Sequence, residues 1–238
     1  MIILIGSQKG GVGKSTLSVN VAGELTRLNK SVIIVDADDQ QSVMSWYNNR
    51  NEELKRIPVV SASGNIKNTL LELNKHYDYV IADSAGRDSQ ELRSGLLAAD
   101  IFISPLRPSQ MDLDTVAHIS KVFITALDYN EQVKGYVVLN MCPTNIFIDE
   151  ANQAADVLNE FPPLKLISSR ICDRKIYRDT WADSITVSEA ANEKAKYEIT
   201  SFVQEVVLWE IESHFNRKMN LSIMQRLYPR LLIMQIKG

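Results

Sequence analysis

A short apolar run, a glycine-rich loop and a helix in immediate succession constrain this chain more than any other feature. Met1 to Ile5 has the character of a buried strand, and Gly6-Ser7-Gln8-Lys9-Gly10-Gly11-Val12-Gly13-Lys14-Ser15-Thr16 follows it at once. From Thr16 to Leu28, Leu17, Val21, Leu25 and Leu28 recur at helical spacing. The loop fits the pattern G-x-x-x-x-G-K-S/T in the strand–loop–helix context that gives the pattern its meaning. Glycines let backbone N–H groups turn toward one anion, and the helix that follows presents the positive end of its dipole to the same point. The loop therefore reads as a phosphate cradle built from Gly10, Gly11, Val12, Gly13, Lys14, Ser15 and Thr16. Lys14 is placed to reach the β- and γ-phosphates of a nucleotide, and the Ser15 hydroxyl to hold Mg²⁺.

Beyond the loop, apolar strand candidates alternate with helical stretches. The strands are read at 31–35, 57–60, 79–82, 101–104, 133–139 and 164–167, and the helices near 41–50, 65–75, 89–98, 110–129 and 149–160. This alternation predicts an α/β fold, a doubly wound, mostly parallel sheet with helices on both faces. In such sheets ligands sit at the carboxyl ends of strands, and Asp36, Asp83 and Asn140 all fall at strand ends. A long amphipathic helix is read from Glu193 to Phe215, with Ile199, Phe202, Val203, Val206, Val207 and Trp209 on its apolar side. The expected organisation is one domain over residues 1–215 and a basic, apolar tail over 216–238 carrying Arg217, Lys218, Arg226, Arg230 and Lys237.

The chain's 238 residues lie within the range of one α/β domain. A formal net charge of −3 argues against a generally basic nucleic-acid binder, so any DNA contact must come from a local patch. Cys142 and Cys172 have neither CxxC spacing nor metal-ligand company and read as reduced core residues. His76, His118 and His214 are scattered, which argues against a histidine-based metal site. The first strand enters the loop directly, leaving no room for a signal peptide, and no apolar run approaches transmembrane length.

Phosphoryl transfer needs a metal, a positioned water and positive charge on the transferred oxygens. Asp83 ends Tyr79-Val80-Ile81-Ala82 where a carboxylate would orient Mg²⁺; its other reading is a helix N-cap. Asp36-Ala37-Asp38 ends the second strand and sets two carboxylates there; their bland reading is a pair of caps for the helix beginning near Gln41. Asn140 ends a strand with an amide that can both donate and accept, and is also a common turn residue. Arg170, Arg174 and Arg178 recur every four residues beside Lys175; on a helix they would make one basic stripe, a DNA phosphate surface or a solvated face.

The loop carries a second lysine, Lys9, that an ordinary phosphate loop does not need. Lys-Gly-Gly-Val-Gly-Lys-Ser-Thr resembles the deviant Walker A motif of the ParA/MinD family of dimerising ATPases. Asp36-Ala37-Asp38 resembles that family's D-x-D switch I motif, and Asp83-Ser84-Ala85-Gly86 its switch II segment. The resemblance is sharp in the loop, good at the aspartates and diffuse afterwards, and it covers Met1 to about Ile211. It departs at Asp39, where the family usually has proline. It implies that Lys9 crosses a dimer interface to the partner's nucleotide, that Asp36 and Asp83 support Mg²⁺, that Asp38 orients the attacking water, and that Asn140 contacts adenine. It further implies an ATP-joined homodimer of the short partition class, cytoplasmic and nucleoid-associated, that binds nonspecific DNA and is stimulated by a centromere-bound partner protein. Three related readings stay open. The first is a MinD-like membrane-associated ATPase using the tail, although Pro229 interrupts a helix there. The second is an ATPase that positions a protein cargo. The third is a metabolic or iron–sulfur enzyme, against which Lys9 and the cysteine positions argue.

Overall fold

The computed structural model describes residues 1–145, 148–160 and 163–208. Seven strands form one sheet in the order β3-β2-β4-β1-β5-β6-β7: β1 Ile2–Ile5, β2 Val32–Ala37, β3 Val59–Ser61, β4 Tyr79–Ser84, β5 Ile101–Leu106, β6 Lys134–Leu139 and β7 Lys165–Leu166. Every neighbouring pair is parallel. The helices are α1 Lys14–Arg27, α2 Ser42–Asn48, α3 Lys67–Leu73, α4 Gln90–Leu96, α5 Gln110–Leu113, α6 Val116–Leu127, α7 Glu150–Leu158, α8 Lys175–Ala182 and α9 Glu193–Val203, with a short 3₁₀ turn at Val187–Glu189 and a π-helical turn at Gln204–Leu208.

Strand parity divides the core in two. Ile3, Ile5, Ile34, Ile81 and Ile103 face one side and pack with residues of α1, α2, α8 and α9. Leu4, Val35, Val80, Ala82 and Phe102 face the other and pack with residues of α3, α4, α6 and α7. Burial on both faces is why these strands read as continuous apolar runs rather than as alternating ones. The predicted doubly wound α/β class holds.

Local differences from the sequence reading have physical causes. β2 and β4 run beyond their apolar stretches because their ladder continues through Asp36↔Asp83 and Ala37↔Ser84. The single helix read over 110–129 is two, joined at Asp114 and Thr115 by a tighter turn in which the Thr115 N–H donates to the Asp112 carbonyl at 3.0 Å. The arginine stripe is not helical. α8 begins at Lys175, Arg174 is its N-cap in extended conformation, and Arg170 lies in the irregular segment before it. Cys142 is buried and Cys172 half-buried, and both thiols are free. None of the described helices is long and apolar enough to cross a membrane. The end of the helix read to Phe215, the domain boundary at 215, and the tail read over 216–238 lie outside the described residues.

Candidate functional site

β1 lies between β4 and β5 in the sheet, so its loop emerges among the carboxyl ends of strands that continue in opposite directions along the chain. That is where ligands bind in open α/β sheets. The Gly6 N–H donates to the Ile103 carbonyl at 3.0 Å, and the Ser7 hydroxyl to the Lys9 carbonyl at 2.7 Å. Gly11 and Gly13 have φ of +73° and +86°, a region open cheaply to glycine alone. Gly13 is also the N-cap of α1, and a Cβ there would stand 2.5 Å from the Asn140 amide nitrogen. No side chain caps α1, so its N-terminus keeps its positive dipole end for an anion.

Lys14 is nearly buried, and its ammonium lies 3.5 Å from the Lys9 carbonyl. Burial lowers its pKa, while the charges of Asp83 and Asp38 act the other way. The Ser15 hydroxyl donates to Asp83 Oδ2 at 2.6 Å and the Ser18 hydroxyl to Asp83 Oδ1 at 3.0 Å. Burial pushes the Asp83 carboxyl up to about 7 against the pull of the Ser15 hydroxyl, and the neighbouring Asp36 charge adds to the rise. Ser15 and Asp83 thus set two hard oxygen donors side by side, a donor type that fits Mg²⁺. Among the described residues no three His, Cys, Asp or Glu side chains gather as a metal cage. An ion that keeps phosphate oxygens and waters in its shell does not require one.

Asp36 is buried, with Oδ2 accepting from the Met44 N–H at 2.8 Å and Oδ1 from the Asp38 N–H at 3.3 Å. Burial raises its pKa against those bonds. Asp36 therefore does part of the capping work for α2. Asp38 is half-buried and folds back on the Gln40 N–H at 3.0 Å, at the loop that ends with Gln41 in the left-handed region. Asp39, in the place of the expected proline, pairs with Arg87 at 2.7 Å and so joins the loop after β2 to the loop after β4. Gly86 lies against the phosphate loop; a Cβ there would meet Gly10 Cα at 2.7 Å and the Lys9 carbonyl at 2.8 Å.

The Asn140 amide donates to the Val12 carbonyl at 2.7 Å, bracing the loop from β6. Beside it opens a cavity of about 260 Å³ lined by Gly13, Thr16, Asn140, Met141, Arg174 and Tyr177, among others. Arg174 lines this cavity and pairs with the buried Glu198 at 2.7 Å. Lys175 pairs with Asp179 and Arg178 with Asp173. The structure thus brings together Lys14, Ser15, Asp36, Asp38, Asp83 and Asn140, and it sets Arg174 and Arg178 on the cavity wall while Lys175 lies outside it.

The sequence reading missed Ser18, Arg87, Arg107 and Asp112. The Arg107 guanidinium donates to the Gly11 carbonyl, and Asp112 holds Lys9 at 2.9 Å. Arg107 lies between Pro105 and Pro108, in a segment that resembles the family's proline-containing one, whereas Asp112 carries no local signal.

Residues 3–182 match the CobQ/CobB/MinD/ParA nucleotide binding domain. The chain is 25% identical to the maintenance of carboxysome distribution protein A of Halothiobacillus neapolitanus, over 86% of this chain and 95% of that protein. Among solved structures, Cyanothece apo McdA superposes with a TM-score of 0.70 at 17% identity, over 84% of this chain and 96% of that one. A Borrelia burgdorferi B31 protein described as a plasmid partition protein, bound to AMPPNP, superposes with a TM-score of 0.63 at 18% identity, over 86% and 99%. At these identities the two structures speak for the fold.

Proposed function

The chain belongs to the CobQ/CobB/MinD/ParA nucleotide binding domain family, and from that premise we propose that it is a dimerising P-loop ATPase. In this reading it binds DNA of any sequence when ATP joins two subunits, and it segregates or positions plasmid or chromosomal DNA. The observation that carries the proposal is the convergence of Lys14, Ser15 and Asp83 on one glycine loop, with the Asp38 charge felt at Lys14. Lys14 and the loop backbone bind the phosphates. Ser15 and Asp83, with Asp36 behind them, hold Mg²⁺, which supplies charge neutralisation at the phosphates when bound. Asp38 orients the attacking water. Asn140 gives one amide N–H to Val12 and keeps its side-chain carbonyl for the adenine edge, and the cavity beside it accepts the base.

Lys9 is the residue for the partner subunit's nucleotide. Arg170, Lys175 and Arg178 are the candidate DNA phosphate contacts, with Lys175 and Arg178 the more exposed at 79% and 66% of their side chains. Arg174 belongs to the same segment, but its charge is committed to Glu198. Phosphate contacts need no base reading, and a dimer doubles them. Hydrolysis is slow alone and stimulated by a centromere-bound partner, and the site of action is the nucleoid in the cytoplasm. A second reading, a protein cargo, is supported by the similarity to the carboxysome distribution protein along most of both chains.

The test is ATP hydrolysis together with sedimentation in ATP and in ADP, for the wild type and Lys14→Ala. Slow Mg²⁺-dependent turnover and a dimer in ATP only, both lost in Lys14→Ala, are expected. Turnover that survives Lys14→Ala, or a dimer independent of nucleotide, would overturn the reading.

A further inference from the structure

Lys9 is not a loose loop lysine. Its ammonium donates to Asp112 Oδ2 at 2.9 Å, and the Ser109 hydroxyl donates to the same oxygen at 2.7 Å. Asp112 is 1% exposed, whereas the Lys9 side chain is 34% exposed. The second carboxylate oxygen, Oδ1, is buried without a hydrogen-bond partner. The segment carrying Asp112 is itself held to the loop, since the Arg107 guanidinium donates to the Gly11 carbonyl.

We propose that Asp112 is the positioning residue for Lys9, holding the ammonium at a fixed point above the phosphate loop for the nucleotide of a second copy of this chain. The inference rests on the dimeric reading given above. An ammonium has three donors, and Asp112 occupies one, so a phosphate oxygen can be met without breaking the pair. A free lysine would lose the rotamer freedom of its long stem on meeting a partner, and Asp112 removes that freedom beforehand. The opposite arrangement, a latch that withholds Lys9 until dimerisation pulls it away, is disfavoured by burial. Departure of Lys9 would leave the Asp112 carboxylate in the interior with no counter-charge.

The test is a double-mutant cycle on AMPPNP-dependent self-association, measured by sedimentation, with Asp112→Asn and Lys9→Ala made singly and together. Monomer affinity for AMPPNP is titrated below the dimerisation range. Asp112→Asn keeps the shape and removes the charge. It is expected to weaken association about tenfold, to leave monomer nucleotide affinity unchanged, and to add nothing on top of Lys9→Ala. Ser109→Ala, which leaves the ion pair intact, gives a smaller loss in the same direction and serves should Asp112→Asn fold poorly. Association that is unchanged or tightened in the single variants, or losses that simply add in the double variant, would overturn the proposal. A wild type that binds AMPPNP but stays monomeric would instead defeat the dimeric reading, and this inference with it.

Discussion

Asp83 is a fully buried carboxyl at the centre of the site. Its carboxyl is pushed up to about 7 by burial, from an unfolded value of about 3.9. A carboxyl shifted upward favours the fold while it is protonated. Its contribution is therefore complete below about pH 4 and is lost as the pH rises through about 7. Thermal melts of the nucleotide-free protein should accordingly show Asp83→Asn more stable than wild type at pH 8, by a few kcal/mol at most, with the difference vanishing near pH 4. A bound cation reverses the sign for the carboxylate, so Mg·ATP should raise the melting point of the wild type and not that of the variant. Equal melting at pH 8 would mean that Asp83 is already relieved by its two serines. At the same scale, Lys14→Ala should abolish ATP binding in a titration. Asp38→Ala should bind ATP and dimerise without turning it over; an Asp38→Ala protein that hydrolyses normally would return Asp38 to a turn residue.

At the scale of elements, the strands were legible because parallel strands buried on both faces are continuous apolar runs, as Val32 to Val35 and Tyr79 to Ala82 are. The glycine loop was legible because its composition is its mechanism. The split of 110–129 was not, since no glycine or proline marks it. Spacing of four suggested an arginine stripe, but the helix starts only at Lys175. Asp112 could not be found from the sequence, because its partner Lys9 is remote in the chain and meets it only through the β1–β5 pairing. Asp39 stood out as a departure from the resembled motif, and only the fold revealed its contact with Arg87. The junction of loop and α1 yields a prediction of its own. Gly13→Ala must hold a left-handed backbone and displace the Asn140 amide. A loss of about 1–3 kcal/mol in stability is expected by denaturant titration, with weaker ATP binding. Unchanged ATP affinity would argue that Asn140 and the loop do not act together.

At the scale of the whole molecule, the sheet sets the phosphate loop, Asp36, Asp83 and Asn140 along one edge, and Lys9 with Asp112 beside them. A net charge of −3 leaves no general attraction for nucleic acid, so DNA binding in this account is a property of the ATP-joined dimer and its local basic residues. Basal turnover should fall well below the ~1–10³ s⁻¹ common among enzymes, because the nucleotide times an association. A fast rate without any partner would count against that. The most direct test is binding of the Asp38→Ala protein to random-sequence duplex DNA, in ATP and in ADP, at two salt concentrations. The account predicts binding in ATP alone, weakening steeply as salt rises. Absence of binding in both nucleotides, or equal binding in both, would contradict it.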